Sequence, residues 1–140
     1  MDLGKKAEKF IIDYLKNRDK KTYAVRFVDT YDANKGRWGK EGQTLVTVEE
    51  RPCDAMLIAD GITYFCEVKA TSDKVGIKSA LFQKQKANRK RILNAGGSYL
   101  YLIYSYAYQQ WYWVPAIDLN ENASWGELYN FRIDFPKVPN

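Results

Sequence analysis

The sequence predicts a single α/β domain spanning residues 1–140, and three observations carry that prediction. Residues 3–16 place Leu3, Ala7, Phe10, Ile11, Tyr14 and Leu15 on one stripe at helical spacing. Asp60-Gly61 sits between two apolar runs, the strongest short-range signal for a β-hairpin. Residues 79–94 return to helical spacing and stop at Gly96-Gly97, with strand-like runs on either side. A chain of 140 residues buries about two thirds of its unfolded surface, enough for a real core. A hydrophobic content of 46% argues against disorder.

The elements follow in order. Asp2 is placed to cap the first helix. Residues 23–29 read as a strand. Residues 32–43 hold three of the nine glycines, three basic residues and Trp38, the composition of a mobile loop or hairpin tip. Residues 44–48 are rich in β-branched side chains and read as a strand. Residues 54–59 and 62–70 form the hairpin around Asp60-Gly61. Residues 79–94 form one helix whose buried face is Leu81, Phe82, Ile92 and Leu93. Residues 99–108 and 111–114 are two further strands, and the chain from Pro115 is irregular or made of short elements. No repeat, linker or low-complexity segment interrupts it. Nothing approaches the roughly 18 consecutive apolar residues of a membrane span. Charges run through the N-terminal segment, which lacks the apolar block of a signal peptide. The expected location is therefore cytoplasmic, with Cys53 and Cys66 as reduced core thiols.

The chain contains no histidine. Ser-His-Asp and Cys-His nucleophile systems are thereby excluded, as are histidine-bearing zinc sites. Acid–base or metal chemistry must come from carboxylates, lysine, tyrosine or backbone. The net charge of +5 is uneven: residues 1–94 carry 20 basic and 13 acidic side chains, residues 95–140 carry two and four. A concentrated positive region suits either a polyanionic partner or an ordinary solvated surface.

The hairpin brings the carboxylates together. With a two-residue turn, opposed residue numbers sum to 121, so Asp54 faces Glu67. Asp54, Glu67 and Lys69 then share one face, while Ile62, Tyr64, Cys66 and Val68, with Cys53, pack into the core. Directly opposed like charges repel, so this pair needs a compensating cation, either Lys69 or a bound divalent ion such as Mg²⁺. The plain alternative is a structural ion-pair cluster; a Glu-x-Lys triplet alone arises on the order of 0.5 times by chance in such a chain.

Two more polar residues lie on apolar stripes. Glu8 sits at the edge of the first helix's stripe, able to reach the same centre or simply to pair with Lys5. Gln85 lies near the middle of the 79–94 buried face, where an amide needs partners, either in an active site or structurally. Between residues 74 and 91 stand Lys74, Lys78, Lys84, Lys86, Arg89, Lys90 and Arg91 with no acidic residue, a pattern that suits phosphate contacts or a solvated helix face. Loop residues Lys35, Arg37, Trp38 and Lys40 could enter a groove or stack on bases, or form a plain exposed loop.

Asp54 followed by Glu67-Val68-Lys69 resembles the PD-(D/E)xK nuclease motif, with Pro52-Cys53-Asp54 in place of adjacent Pro-Asp. Gly4-x-x-x-Glu8 is similar to the N-terminal glutamate motif of archaeal-type (Hjc) Holliday junction resolvases. The run 65–70 around Glu67, the helix carrying Gln85, and Gly96-Gly97 before an apolar strand extend the likeness, and residues 104–115 resemble the late hairpin of RecU-type resolvases. The resemblance covers roughly residues 4–115. It implies a restriction-endonuclease-like mixed sheet flanked by helices, and a Mg²⁺-dependent homodimer, with Mn²⁺ as a substitute, that nicks opposing strands of a four-way DNA junction. It implies Glu8, Asp54, Glu67 and the Val68 carbonyl as metal ligands, with Lys69 and Gln85 completing a catalytic set of Glu8, Asp54, Glu67, Lys69 and Gln85. Loop 32–43 would stand where RecU-type enzymes project a stalk. The expected DNA contacts are Lys5, Lys35, Arg37, Trp38, Lys40, Lys74, Lys78, Lys84, Lys86 and Arg89. Another nuclease on the same scaffold, or a non-catalytic DNA-binding module, are the alternatives. Eight of the fifteen residues from Tyr99 to Trp113 are Tyr or Trp, a composition that suits either a dimer interface or packing within the monomer.

Overall fold

The computed structural model describes residues 2–27 and 51–140. Helix α1 (Leu3–Lys16) is capped as expected: the Asp2 carboxylate accepts from the Lys5 N–H at 2.8 Å. Strands β1 (Thr22–Arg26), β2 (Ala55–Ala59), β3 (Ile62–Thr71), β4 (Ser98–Ser105), β5 (Gln110–Pro115) and β6 (Arg132–Ile133) form one six-stranded sheet in sequential order. Only β3 and β4 run parallel; every other neighbour pair is antiparallel. Helix α2 (Lys86–Asn94) sits in the β3–β4 crossover.

The 79–94 segment departs from expectation. Ser79–Phe82 is a 3-10 turn, Gln85 adopts a left-handed conformation with φ 67°, and the α-helix begins only at Lys86. Leftward φ at a non-glycine residue breaks helical continuity, so the wheel drawn through residues 79–94 does not apply. The strand expected to reach Tyr108 ends at Ser105 and turns through Tyr106–Gln109. The strand expected over 44–48, most of loop 32–43's surroundings and that loop itself lie outside the described residues.

The hairpin register is as predicted from the turn to Ala55, but the expected pairing of Asp54 with Glu67 does not form. Ala59 pairs with Ile62 and Ala55 with Cys66. Asp60 and Gly61 have φ of 50° and 83°, the double positive φ of a type I′ turn. Ile62, expected in the core, flanks this turn and is exposed.

The sheet has a core on each face because β4 alternates Leu100, Leu102 and Tyr104 to one side with Tyr99, Tyr101 and Ile103 to the other. On the first side α1 buries Ala7, Ile11, Ile12 and Leu15 against Leu57, Cys66 and Val68. On the second, Ile77, Phe82, Ala123, Trp125 and Leu128 cover the strands. Tyr99, Tyr101, Tyr104, Trp111 and Tyr112 are buried within the monomer, so internal packing absorbs most of the aromatic run; Tyr108 is exposed. Among the described residues, no helix is long and apolar enough to cross a membrane.

Candidate active site

The site forms where the β2–β3 ladder ends. β3 continues to Thr71 beside β4, whereas β2 begins only at Ala55, so among the described residues β3 from Glu67 onward lacks a partner strand on its β2 edge. A backbone N–H on such an edge needs another acceptor. The Asp54 side chain supplies it: Oδ2 accepts from the Val68 N–H at 2.8 Å. Since a residue's N–H and C=O point to the same side of a strand, the Val68 carbonyl faces this edge too.

The register slips by one residue at this point. The Asp54 N–H donates to the Cys66 carbonyl at 3.1 Å, so Asp54 and Ala55 both oppose Cys66, as in a β-bulge. On its other side Asp54 stays in the β1 ladder, its carbonyl accepting from the Phe27 N–H at 2.9 Å. The slip re-aims Cys53. It packs with Phe82 and Tyr99 in the second core, not on the Cys66 face as the unslipped register implied. Both cysteines are free and buried, and burial pushes the Cys53 thiol up to about 12.

A cleft of about 320 Å³ opens over this edge, lined by Glu8, Arg51, Asp54, Glu67, Val68, Lys69, Lys84 and Gln85, with Lys5 at the α1 end. Asp54 is its hub, its carboxylate standing against both Glu8 and Glu67. Burial, reinforced by Asp54, pushes Glu8 up to about 7. Burial and the Asp54 charge push Glu67 up to about 8, against the pull of Lys69. Lys69 Nζ stands 3.5 Å from Glu67 Oε2.

The donor set fits a divalent ion. Glu8 Oε1 is buried without a hydrogen-bond partner among the described residues, the kind of orphan that a cation would satisfy. Among the described residues no three acidic or thiol side chains stand as a ready cage. Mg²⁺ does not need one, since it binds through one or two carboxylates and keeps several waters.

Glu8, Asp54, Glu67, Lys69 and Gln85 thus meet in one cleft, as do Lys5 and Lys84. Gln85 is there by a route other than helical spacing: it precedes α2, is buried, and its Oε1 accepts from Asn88 at 2.7 Å. Lys74 and Lys78 are exposed and Lys86 half-buried, none lining the cleft. Arg89, expected on the outer DNA-contacting face, points inward instead. It is buried, donates to the Tyr101 hydroxyl at 2.7 Å and lies over the Tyr101 ring. Lys35, Arg37, Trp38 and Lys40 lie outside the described residues. Sequence reasoning missed Arg51, whose guanidinium reaches Asp54 Oδ1 at 3.3 Å. Its only local signal was a cation three residues before the aspartate.

A larger groove of about 540 Å³ opens at the hairpin end of the sheet, between Arg18, Tyr64, Trp113 and Arg132. Among the described residues Asp60 is the sole carboxylate lining it, so these residues offer no acid–base or metal-binding set.

No protein-family model and no curated protein matches the chain. Among solved structures, the chain is similar to Archaeoglobus fulgidus Hjc, a Holliday junction resolvase from an archaeal hyperthermophile, with 14% identity, 91% of each chain covered and a TM-score of 0.55. The mixed sheet, its flanking helices and the cleft at the end of the β2–β3 ladder are therefore built on the α/β fold of that resolvase.

Proposed function

We propose that the protein is a divalent-metal-dependent, structure-selective DNA endonuclease: a Holliday junction resolvase that nicks opposing strands of four-way junctions. The observation that carries this reading is the convergence of Glu8, Asp54, Glu67 and Lys69 in one cleft, on a fold shared with a resolvase along nearly its whole length.

Glu8, Asp54, Glu67 and the Val68 carbonyl would hold the ion, Mg²⁺ or Mn²⁺. When bound, it supplies a lowered water pKa and positive charge beside the phosphoryl oxygens. The chain's own groups do the rest. Asp54, fixed by the Val68 N–H, holds its carboxylate at the open edge of β3. Lys69 keeps a cation beside Glu67, where it can steady a nucleophilic water and the charge that develops on phosphorus. Gln85, buried at the cleft wall, orients a water or a phosphate oxygen. Lys5 and Lys84 in the cleft, with Lys74, Lys78 and Lys86 beyond it, hold the DNA backbone without reading sequence. A two-fold homodimer matches the near two-fold symmetry of the junction.

The test compares cleavage of a synthetic four-way junction with that of a linear duplex of the same sequence. Preferential paired nicking of the junction is expected. Equal cutting of both would make the protein another nuclease on this scaffold, and absence of any cutting would leave a non-catalytic DNA-binding module.

A further inference from the structure

The two paired carboxylates of the cleft each have a cation of their own: Glu67 has Lys69, and Asp54 has Arg51. The second pairing lies outside the motif that predicted the site. Asp54 is followed on both sides by fixed points. Its N–H and C=O are bonded to β3 and to the end of β1, and its Oδ2 to Val68. The bend that precedes it is pinned as well, because the Pro52 carbonyl accepts from the Tyr99 hydroxyl at 3.2 Å. That leaves Oδ1, and Arg51 holds it from a guanidinium whose other terminal nitrogen donates to the Phe27 carbonyl at 3.3 Å. The Arg51 side chain is 27% exposed and lines the cleft. A planar fork anchored at one prong on backbone and at the other on a carboxylate fixes direction as well as charge, which a lysine does less well.

We infer that Arg51 is a positioning residue of the reaction: anchored on the Phe27 carbonyl, it sets the orientation of the Asp54 carboxylate. This rests on the endonuclease reading. Groups that orient metal-binding side chains typically contribute about 10–100-fold to affinity for the ion or to activity. Arg51 therefore contributes to turnover and little to junction affinity.

The experiment measures kcat on the four-way junction at saturating Mg²⁺, and junction Kd without divalent ion, for wild type, Arg51→Met, Arg51→Gln and Arg51→Lys. Expected is a kcat loss of about 10–100-fold in the methionine and glutamine variants, partial recovery with lysine, and junction Kd within about twofold of wild type throughout. Glutamine keeps a donor for Phe27 without the charge, so the lysine–glutamine comparison stands even if the methionine variant folds poorly. Wild-type kcat in the glutamine variant, equal kcat in the lysine and glutamine variants, or a loss of Kd as large as the loss of kcat overturns the inference. A wild-type protein that never cuts the junction overturns the endonuclease reading instead, and the two failures are thus distinct.

Discussion

The two halves of β3 share one backbone and have opposite surroundings. From Ile62 to Cys66 the strand is paired with β2 in the register that the Asp60-Gly61 turn imposes. From Glu67 to Thr71 its one partner among the described strands is β4, and a carboxylate takes the place of a backbone carbonyl at Val68. The paired half gives its inward side chains to the core. The open half carries Glu67 and Lys69 into a cleft. A sheet therefore gains a place for charge where its ladder stops, because a backbone group left unpaired there is met by a polar side chain, here Asp54.

The largest expected effect separates the halves most sharply. Asp54→Asn and Glu67→Gln each lower junction cleavage on the order of 10³-fold, as expected for loss of a group that supplies several kcal/mol of charge stabilisation, with junction binding retained. Ile62→Thr, on the exposed end of the paired half, leaves the rate within about twofold, since surface substitutions away from special features change little. A variant at Asp54 that cuts at the wild-type rate removes this residue from the mechanism.

Next comes the core that both halves share. Leu102, fully buried opposite Val68 on β4, loses about 2–5 kcal/mol of stability when truncated to alanine. Denaturant melts check this, and a loss below about 1 kcal/mol contradicts close packing behind the site.

The third prediction concerns pH. Glu8 and Glu67 are held at about 7 and about 8 in the folded chain, against about 4.3 when unfolded. Between those limits the folded state binds more protons than the unfolded, so stability falls as pH rises. With no histidine in the chain, few other groups titrate in that window. The Tm of metal-free protein in chelator should therefore drop from pH 5 to pH 8.5. Mg²⁺ should flatten that decline, since it binds the ionised carboxylates. A Tm that rises over this range contradicts the raised Glu8 and Glu67 carboxyls.

The smallest effect belongs to the turn. Gly61→Ala places a side chain at φ 83°, costing about 1 kcal/mol, while junction cleavage stays at the wild-type rate.

Legibility in the sequence followed the same division. The hairpin register could be read because a two-residue turn leaves no freedom in pairing, and the stripe of α1 ends where its spacing ends. The slip at Asp54 had no local signature: it depends on β1 holding that residue in one ladder while β3 shifts in the other. Cys53 was assigned to the wrong face for that reason. Gln85 was located in the cleft from a continuous helix that does not exist, since the chain breaks at its left-handed backbone between the 3-10 turn and α2. Arg89 read as one more basic surface residue, because its acceptor, the Tyr101 hydroxyl, arrives from a strand twelve residues on. Arg51 escaped because its role exists only once Pro52-Cys53 folds it back over Asp54. Glu67 and Lys69 were legible because two-residue alternation along β3 survives into three dimensions, whereas Asp54, expected directly opposite Glu67, opposes Cys66 through the slip and meets β3 by its side-chain bond to the Val68 N–H.

The most direct test of the central claim is a Mg²⁺ titration of junction cleavage by the wild-type protein, starting from chelator-treated material. The account predicts no nicking without divalent ion, saturable nicking as Mg²⁺ rises, and restoration by Mn²⁺. Undiminished cleavage in excess chelator, or a junction left intact at every Mg²⁺ concentration, would contradict a metal-dependent nuclease site at the open edge of β3.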